Sequence, residues 1–344
     1  MKNVETFMKN SLFIVAAIVL TAISLIAQST PRQDRNNRQP NNNNSYVVGK
    51  NRFTTVVDGD IREYYVHVPR GYNNSAKFPL VFMLHGTSGD GNKFYNISGW
   101  KELGETENIL TVYPSSWRHC VIDQGVRKNT TKWNVFPGTF EYCGGERPKD
   151  DIKFLNQVID ELQAKFKINN KMIYFVGFSN GGQMSARVGV EMSDRVAAVV
   201  SSAGMLWGAE SYTPKRLIPN LFQLGTNDDR FMEVLFGGNP APMDFQQILQ
   251  TSPGMNAILK IYQRTYQLSP QYQTGGDPNS LIWLEDKSAS KQNRHVFQIN
   301  LIKGMNHMYP NGVNFPLSGA KMNWEWLKQY QLNEAKNNSE PPKF

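Results

Sequence analysis

The stretch IYFVGFSNGGQMSARVGVEM, residues 173–192, constrains this chain more than any other. It sets Ser179 between Gly177 and Gly181, directly after an apolar run and directly before a helix-like one. A serine so placed forms a nucleophile elbow, a tight strand-to-helix turn that pushes the hydroxyl out of the top of a sheet. Glycine is needed two residues either side because a Cβ there would strike the neighbouring strand or helix. The letters G-x-S-x-G recur by chance in many proteins. The apolar strand KMIYFVGF before them and the helix after them make this match specific.

A hydroxyl nucleophile needs a base, and the chain holds five histidines. His67 lies in the alternating strand REYYVHVP and reads as a surface residue; His85 ends a strand in LHG. His119 sits in a polar stretch beside Cys120, and His295 opens the apolar strand VFQINLI. His307 follows that strand in GMNHMYP, a loop whose glycine start and proline stop would hold an imidazole at the sheet edge. An elbow serine takes its partners in the chain order serine, acid, histidine, so His307 is the expected base.

The acid then lies between them, at the end of a strand. In IPNLFQLGTNDDR an apolar run breaks at Gly225 and leads into Asp228 and Asp229, and their adjacency leaves both open. A carboxylate accepting from the histidine Nδ1 fixes the tautomer and stabilises the imidazolium as it forms. The developing oxyanion needs backbone N–H donors. One is expected from Asn180, after the nucleophile, and one from Thr87, after the strand PLVFMLHG.

With these residues in place, the chain resembles the secreted esterase family that groups poly(3-hydroxybutyrate) depolymerase-like proteins with feruloyl and acetylxylan esterases of carbohydrate esterase family 1. The matching stretches are REYYVHVP, FPLVFMLHG, ILTVYPSSW, KDDIKFL, YFVGFSNGGQMS, VAAVVSSAG, LFQLGTNDD and GMNHMYP, in the family's order across residues 53–330. The resemblance implies an α/β-hydrolase fold, carboxylic-ester hydrolysis without a cofactor, and a triad of Ser179, Asp228 and His307. This chain departs from the pattern in reading Gly225-Thr226-Asn227-Asp228 where members commonly read Gly-Thr-Ala-Asp; Asp228 keeps the acid's place, with Asp229 still open beside it. Substrates in the family divide among polyester, aryl ester and acetyl ester. A serine peptidase would use the same triad but would be expected to carry a propeller, and a non-catalytic binding module would be expected to have lost a triad member.

The N-terminus reads as an export signal. Lys2 and Lys9 precede an apolar stretch at residues 11–27, and an Asn/Gln-rich tract follows. Residues 1–27 are expected to be a signal peptide, 28–45 a disordered spacer, 46–335 one catalytic domain and 336–344 a flexible tail. An uncleaved anchor is the alternative, because the apolar stretch is nearly long enough to span a bilayer. Secretion or a periplasmic location would let Cys120 and Cys143 pair. No stable membrane association is expected once the signal is removed.

The formal net charge of +8 does not indicate nucleic acid, because the 37 basic residues are scattered without a Lys/Arg-rich run. HExxH and paired Cys-x-x-Cys are absent, so no metal is expected, and GFSNGG lacks phosphate-loop spacing. Strands are expected as a hairpin over 53–69 turning at Asp58-Gly59, then at 79–84, 109–113, 171–176, 197–201, 221–224 and 295–302. Helices are expected at 150–166, 182–192, 255–266 and 321–330. Alternating strands and helices imply a largely parallel sheet covered on both faces. Residues 231–253, rich in Gly and Pro, read as a lid or an inert insertion.

Among loop aromatics, Trp133, Tyr142, Phe231, Phe236 and Phe245 mix with Asn, Gly and Lys. That mixture suits a planar ring beside a hydrated sugar better than a lipid surface. The expected substrate is therefore a short acyl or hydroxycinnamoyl ester of plant cell-wall polysaccharide. Trp133 is the candidate substrate-binding residue, and a poly(3-hydroxybutyrate) chain is the main rival substrate.

Overall fold

Residues 46–236, 248, 251–275, 281–287 and 296–332 are described by a computed structural model of the chain. The expected signal, spacer and tail lie outside the described residues. The strands are β1 (Gly49–Val57), β2 (Asp60–Val68), β3 (Phe78–Leu84), β4 (Leu110–Pro114), β5 (Trp117–Asp123), β6 (Val126–Lys132), β7 (Glu141–Tyr142), β8 (Ile168–Phe178), β9 (Ala198–Ser202), β10 (Asn220–Gly225), β11 (Tyr272–Gly275), β12 (Leu281–Lys287) and β13 (Val296–Ile302). The helices are α1 (Gly91–Ile97), α2 (Trp100–Glu107), α3 (Asp151–Lys165), α4 (Asn180–Glu191), α5 (Asp229–Phe236), α6 (Pro253–Tyr266) and α7 (Gly319–Leu327).

Ten strands form one sheet in the order β1-β2-β4-β3-β8-β9-β10-β13-β12-β11. The six from β4 to β13 run parallel, and antiparallel strands close both edges. Strand β3 and residues 172–178 of β8 read as near-continuous apolar runs, and β9 and β10 are buried along their whole length, because a parallel sheet is covered on both faces. Successive β3 side chains divide between the two layers. Leu80, Phe82 and Leu84 pack with α3, α4 and α6, whereas Val81 and Met83 pack with α1, α2 and α7. Phe82 stacks on Phe175 of β8 with ring centroids 4.3 Å apart, which fixes the strands that lead into Gly86 and Ser179. The β1–β2 hairpin turns at Asp58 and Gly59, both at positive φ (52° and 85°), the backbone a two-residue turn of this kind demands.

Three features depart from the sequence reading. His67 is buried, not a surface residue: its Nδ1 lies 3.0 Å from the Tyr95 hydroxyl and its Nε2 2.8 Å from Glu105. The reason is that α1 and α2, which the apolar pattern did not reveal, cover that face of β2. Residues 115–145 hold a second sheet, β6-β5-β7, whose Thr, Lys, Arg and Asn content hides its period. The 231–253 segment is helical over its first residues as part of α5, because 229–236 are rich in helix formers; residues 237–247 and 249–250 lie outside the described ones.

Candidate active site

Strand β8 runs straight into α4, and Ser179 occupies the single residue between them at φ 55°, ψ −121°. A non-glycine residue at positive φ is strained and persists only where its surroundings enforce it. Here they do. A Cβ on Gly177 would overlap the Gly181 carbonyl, and one on Gly181 would overlap the carbonyls of Leu84 and His85. Gly204 closes the other side, where a Cβ would meet the Ser179 carbonyl and the Gln183 nitrogen. The Ser179 N–H donates to the Ser202 carbonyl at 2.8 Å, tying the elbow to β9.

His307 approaches from the loop after β13. Its Nε2 lies 3.0 Å from Ser179 Oγ and its Nδ1 2.8 Å from Asp228 Oδ2. Of the two adjacent acids, Asp228 is fully buried and faces the imidazole, while Asp229 opens α5 at the surface. The Arg230 N–H donates to Asp228 Oδ1 at 3.2 Å, so each carboxylate oxygen has a partner. The two loops are fastened together. Asn227 N–H donates to the Met305 carbonyl, Gly304 N–H donates to Thr226 Oγ1 at 2.8 Å, and Gly225 presses so close on Met305 that no Cβ fits. Phe178 and Phe231 flank the imidazole at 4.9 and 6.4 Å between centroids. This chain of groups can pass a proton from the serine hydroxyl to the imidazole while the carboxylate holds the tautomer.

The turn after β3 lies directly in front of the serine, since a Cβ on Gly86 would sit 3.2 Å from that of Ser179. Its carbonyl accepts from the His85 Nδ1–H at 2.7 Å and from Gly89 N–H at 3.1 Å. In a trans peptide the carbonyl and the next N–H point opposite ways. Holding the Gly86 oxygen on these two donors therefore turns the Thr87 N–H away from them. The Asn180 N–H stands in the first turn of α4, where helical N–H groups have no intrahelical acceptor. Asn180 directly follows Ser179, and Thr87 directly follows Gly86.

Sequence reasoning missed two supports. Fully buried His85 accepts from Ser116 N–H through Nε2 at 2.9 Å, so the proton sits on Nδ1 and points at Gly86. Burial pushes its pKa down to about 4. The dipeptide His85-Gly86 is the signal that could have found it. The Asn180 side chain also clamps Trp133, accepting from its N–H at 2.6 Å and donating to its carbonyl at 3.3 Å.

That clamp corrects the role expected for Trp133. The indole is fully buried and donates from Nε1 to the His85 carbonyl at 2.8 Å, so it supports the His85–Gly86 turn and presents no face to a ligand. Buried Asp151, ion-paired with Arg62 at 2.6 Å, accepts from Asn134 N–H and holds the same segment. Of the other loop aromatics, Phe231 stands beside His307, the Tyr142 hydroxyl is buried, and the Phe236 and Phe245 side chains lie outside the described residues. Cys120 and Cys143 form a disulfide with Cα atoms 5.4 Å apart, joining β5 to the end of β7. Among the described residues no group of three or more His, Cys, Asp or Glu could hold a metal ion, and no helix is long and apolar enough to cross a membrane.

Residues 57–329 match the esterase family model described as "Putative esterase". The chain is similar to a bifunctional acetylxylan esterase/xylanase, XynS20E of Neocallimastix patriciarum, at 27% identity over 48% of this chain and 21% of that protein. It is similar to feruloyl esterase B of Piromyces equi at 24% identity over 79% of this chain and 46% of that protein. The chain therefore spans about half or less of the length of these relatives. An acetyl xylan esterase from Aspergillus awamori shares the fold, with a TM-score of 0.52 at 13% identity over 78% of this chain and 94% of that one. The fold is that of the α/β-hydrolases.

Proposed function

The chain belongs to this esterase family, and from that premise we propose that it is a serine carboxylic-ester hydrolase of the feruloyl/acetylxylan type, exported and acting on esters of cell-wall polysaccharide. The observation that carries this reading is the continuous relay from Ser179 Oγ through His307 to buried Asp228, built on a strained elbow. Ser179 attacks the ester carbonyl while His307 Nε2 takes its proton. The tetrahedral oxyanion is received by the Asn180 and Thr87 N–H groups, an arrangement worth about 10²- to 10³-fold in turnover per donor. His307 then returns the proton to the leaving alcohol, and water activated by the same imidazole releases the acid from Ser179. Export rests on the basic, apolar and polar succession of residues 1–45.

The acyl and alcohol preference is the part to test. Turnover of methyl ferulate, acetylated xylan and a hydroxybutyrate trimer should rank the first two above the trimer in kcat/KM. A tenfold or greater preference for the trimer would move the assignment to polyester hydrolysis while leaving the triad in place.

A further inference from the structure

Resting on the ester-hydrolase reading above, we propose that Thr130 and Thr131 are positioning residues for the reaction. They latch the turn at residues 86–89 to strand β6 and keep the Thr87 N–H ready for the oxyanion. Strand β6 is an edge of the small sheet, and an edge strand presents backbone groups that no neighbouring strand takes up. The turn uses one of them: Ser88 N–H donates to the Thr131 carbonyl at 2.9 Å. Successive side chains of a strand point to opposite faces, so the hydroxyls of Thr130 and Thr131 reach round β6 from two sides. Both close on the same turn. Thr130 Oγ1 lies 2.7 Å from Ser88 Oγ, and Thr131 Oγ1 donates to the Gly89 carbonyl at 2.6 Å. The turn is thus gripped at the edge of the strand and from each of its faces.

The latch bears on the chemistry because of what it holds. The peptide groups on both sides of Thr87 are fixed: the Gly86 carbonyl accepts from His85 Nδ1–H and Gly89 N–H, and the Ser88 N–H is taken by Thr131. The Thr87 N–H between them has no acceptor among the described residues. Ser88 sits at φ 64°, a left-handed backbone that a serine keeps only where its surroundings enforce it, and the two threonines supply those surroundings. Two residues further on, Trp133 donates its N–H to the Asn180 side chain at 2.6 Å. Residues 130–133 therefore touch both segments from which the proposed mechanism draws its N–H donors, and the end of β6 sets their spacing. That strand has a firm base. It pairs with β5 along its whole length, and the Cys120–Cys143 disulfide ties β5 to the end of β7. Both threonines are partly exposed, so removing a hydroxyl should leave the fold intact.

Any residue at 131 offers the carbonyl, so the hydroxyls are the part that substitution can test. Thr131→Val and Thr130→Val delete them at nearly constant shape, and Thr131→Ser and Thr130→Ser keep them. With p-nitrophenyl acetate, each valine variant should lower kcat by about tenfold or more, part of the 10²- to 10³-fold that losing a donor outright costs. KM should stay near that of wild type, and each serine variant should restore kcat. A trifluoromethyl ketone reads the oxyanion site separately: Ser179 Oγ adds to its carbonyl carbon, the serine proton passes to His307, and the ketone oxygen becomes the tetrahedral oxyanion. Its inhibition constant should rise in the valine variants by the factor by which kcat/KM falls. A folding defect would instead reduce the amount of active enzyme and leave that constant unchanged. Ser88→Ala, at an exposed position, breaks the Thr130 bond from the other side and should match Thr130→Val, which keeps the test open if a threonine variant does not fold. Valine or Ser88→Ala variants that keep kcat, serine variants as impaired as the valine ones, or a loss of kcat with the inhibition constant unchanged would overturn the latch. A wild type that turns over no p-nitrophenyl ester would remove the ester-hydrolase reading itself, and the positioning role with it.

Discussion

His85 makes the site acid-labile, and the size of the effect follows from its surroundings. The imidazole is fully buried, with its Nε2 lone pair engaged by Ser116 N–H and its Nδ1 proton by the Gly86 carbonyl. Protonation would place a second proton on Nε2, against the Ser116 N–H, and a charge in a dry site. Its pKa in the folded chain is about 4 against 6.5 for an exposed histidine. The folded value lies below the unfolded one, so the unfolded chain binds the extra proton first, and stability falls as the pH drops from about 6.5 to about 4. At about 1.4 kcal/mol per pH unit, this one residue accounts for a loss of about 3 kcal/mol below pH 4. Urea denaturation of wild type and His85→Gln across pH 4–7 isolates the contribution, since all other titrating groups are shared. The wild-type curve should lose about 3 kcal/mol more than the variant over that interval. The variant should also lower kcat more than KM, because Gly86 and with it the Thr87 N–H lose their anchor. Parallel stability curves, or an unchanged kcat, would refute the assignment of tautomer and role.

Two further outcomes separate catalytic from supporting groups. Asp228→Asn should lower kcat by about 10⁴ through the wrong imidazole tautomer, whereas Asp229→Asn should stay near wild type; kinetics with the reverse order would move the acid by one residue. Trp133→Phe should cost about 1 kcal/mol of stability through the lost bond to the His85 carbonyl and leave KM for a small ester unchanged. A large rise in KM with stability intact would return Trp133 to the ligand.

The elbow was legible because its glycines answer to backbone contacts that any G-x-S-x-G turn must make, and Ser179 at positive φ is the conformation those letters encode. His307 and the two acids followed from chain order. Choosing Asp228 over Asp229 needed the direction of each side chain, which a turn decides by its own hydrogen bonds. The parallel strands announced themselves as apolar runs. The β6-β5-β7 sheet did not, because Thr130, Thr131 and Lys132 carry a polar sequence through a β ladder in which His119 and Arg118 face the two threonines. Trp133 was misplaced for a related reason. An indole in a polar stretch looks exposed until Asn180, 47 residues on, is seen to hold its backbone. His67 and His85 were passed over because sequence does not show which helices cover a strand end.

The central claim is that Ser179 is the nucleophile, made reactive by His307. Treating the folded protein with a fluorophosphonate and mapping the adduct by peptide mass spectrometry tests it most directly. A single adduct on Ser179 is expected, absent in Ser179→Ala and strongly slowed in His307→Ala. An adduct on another residue, or none on Ser179 in protein that hydrolyses a p-nitrophenyl ester, would contradict the account.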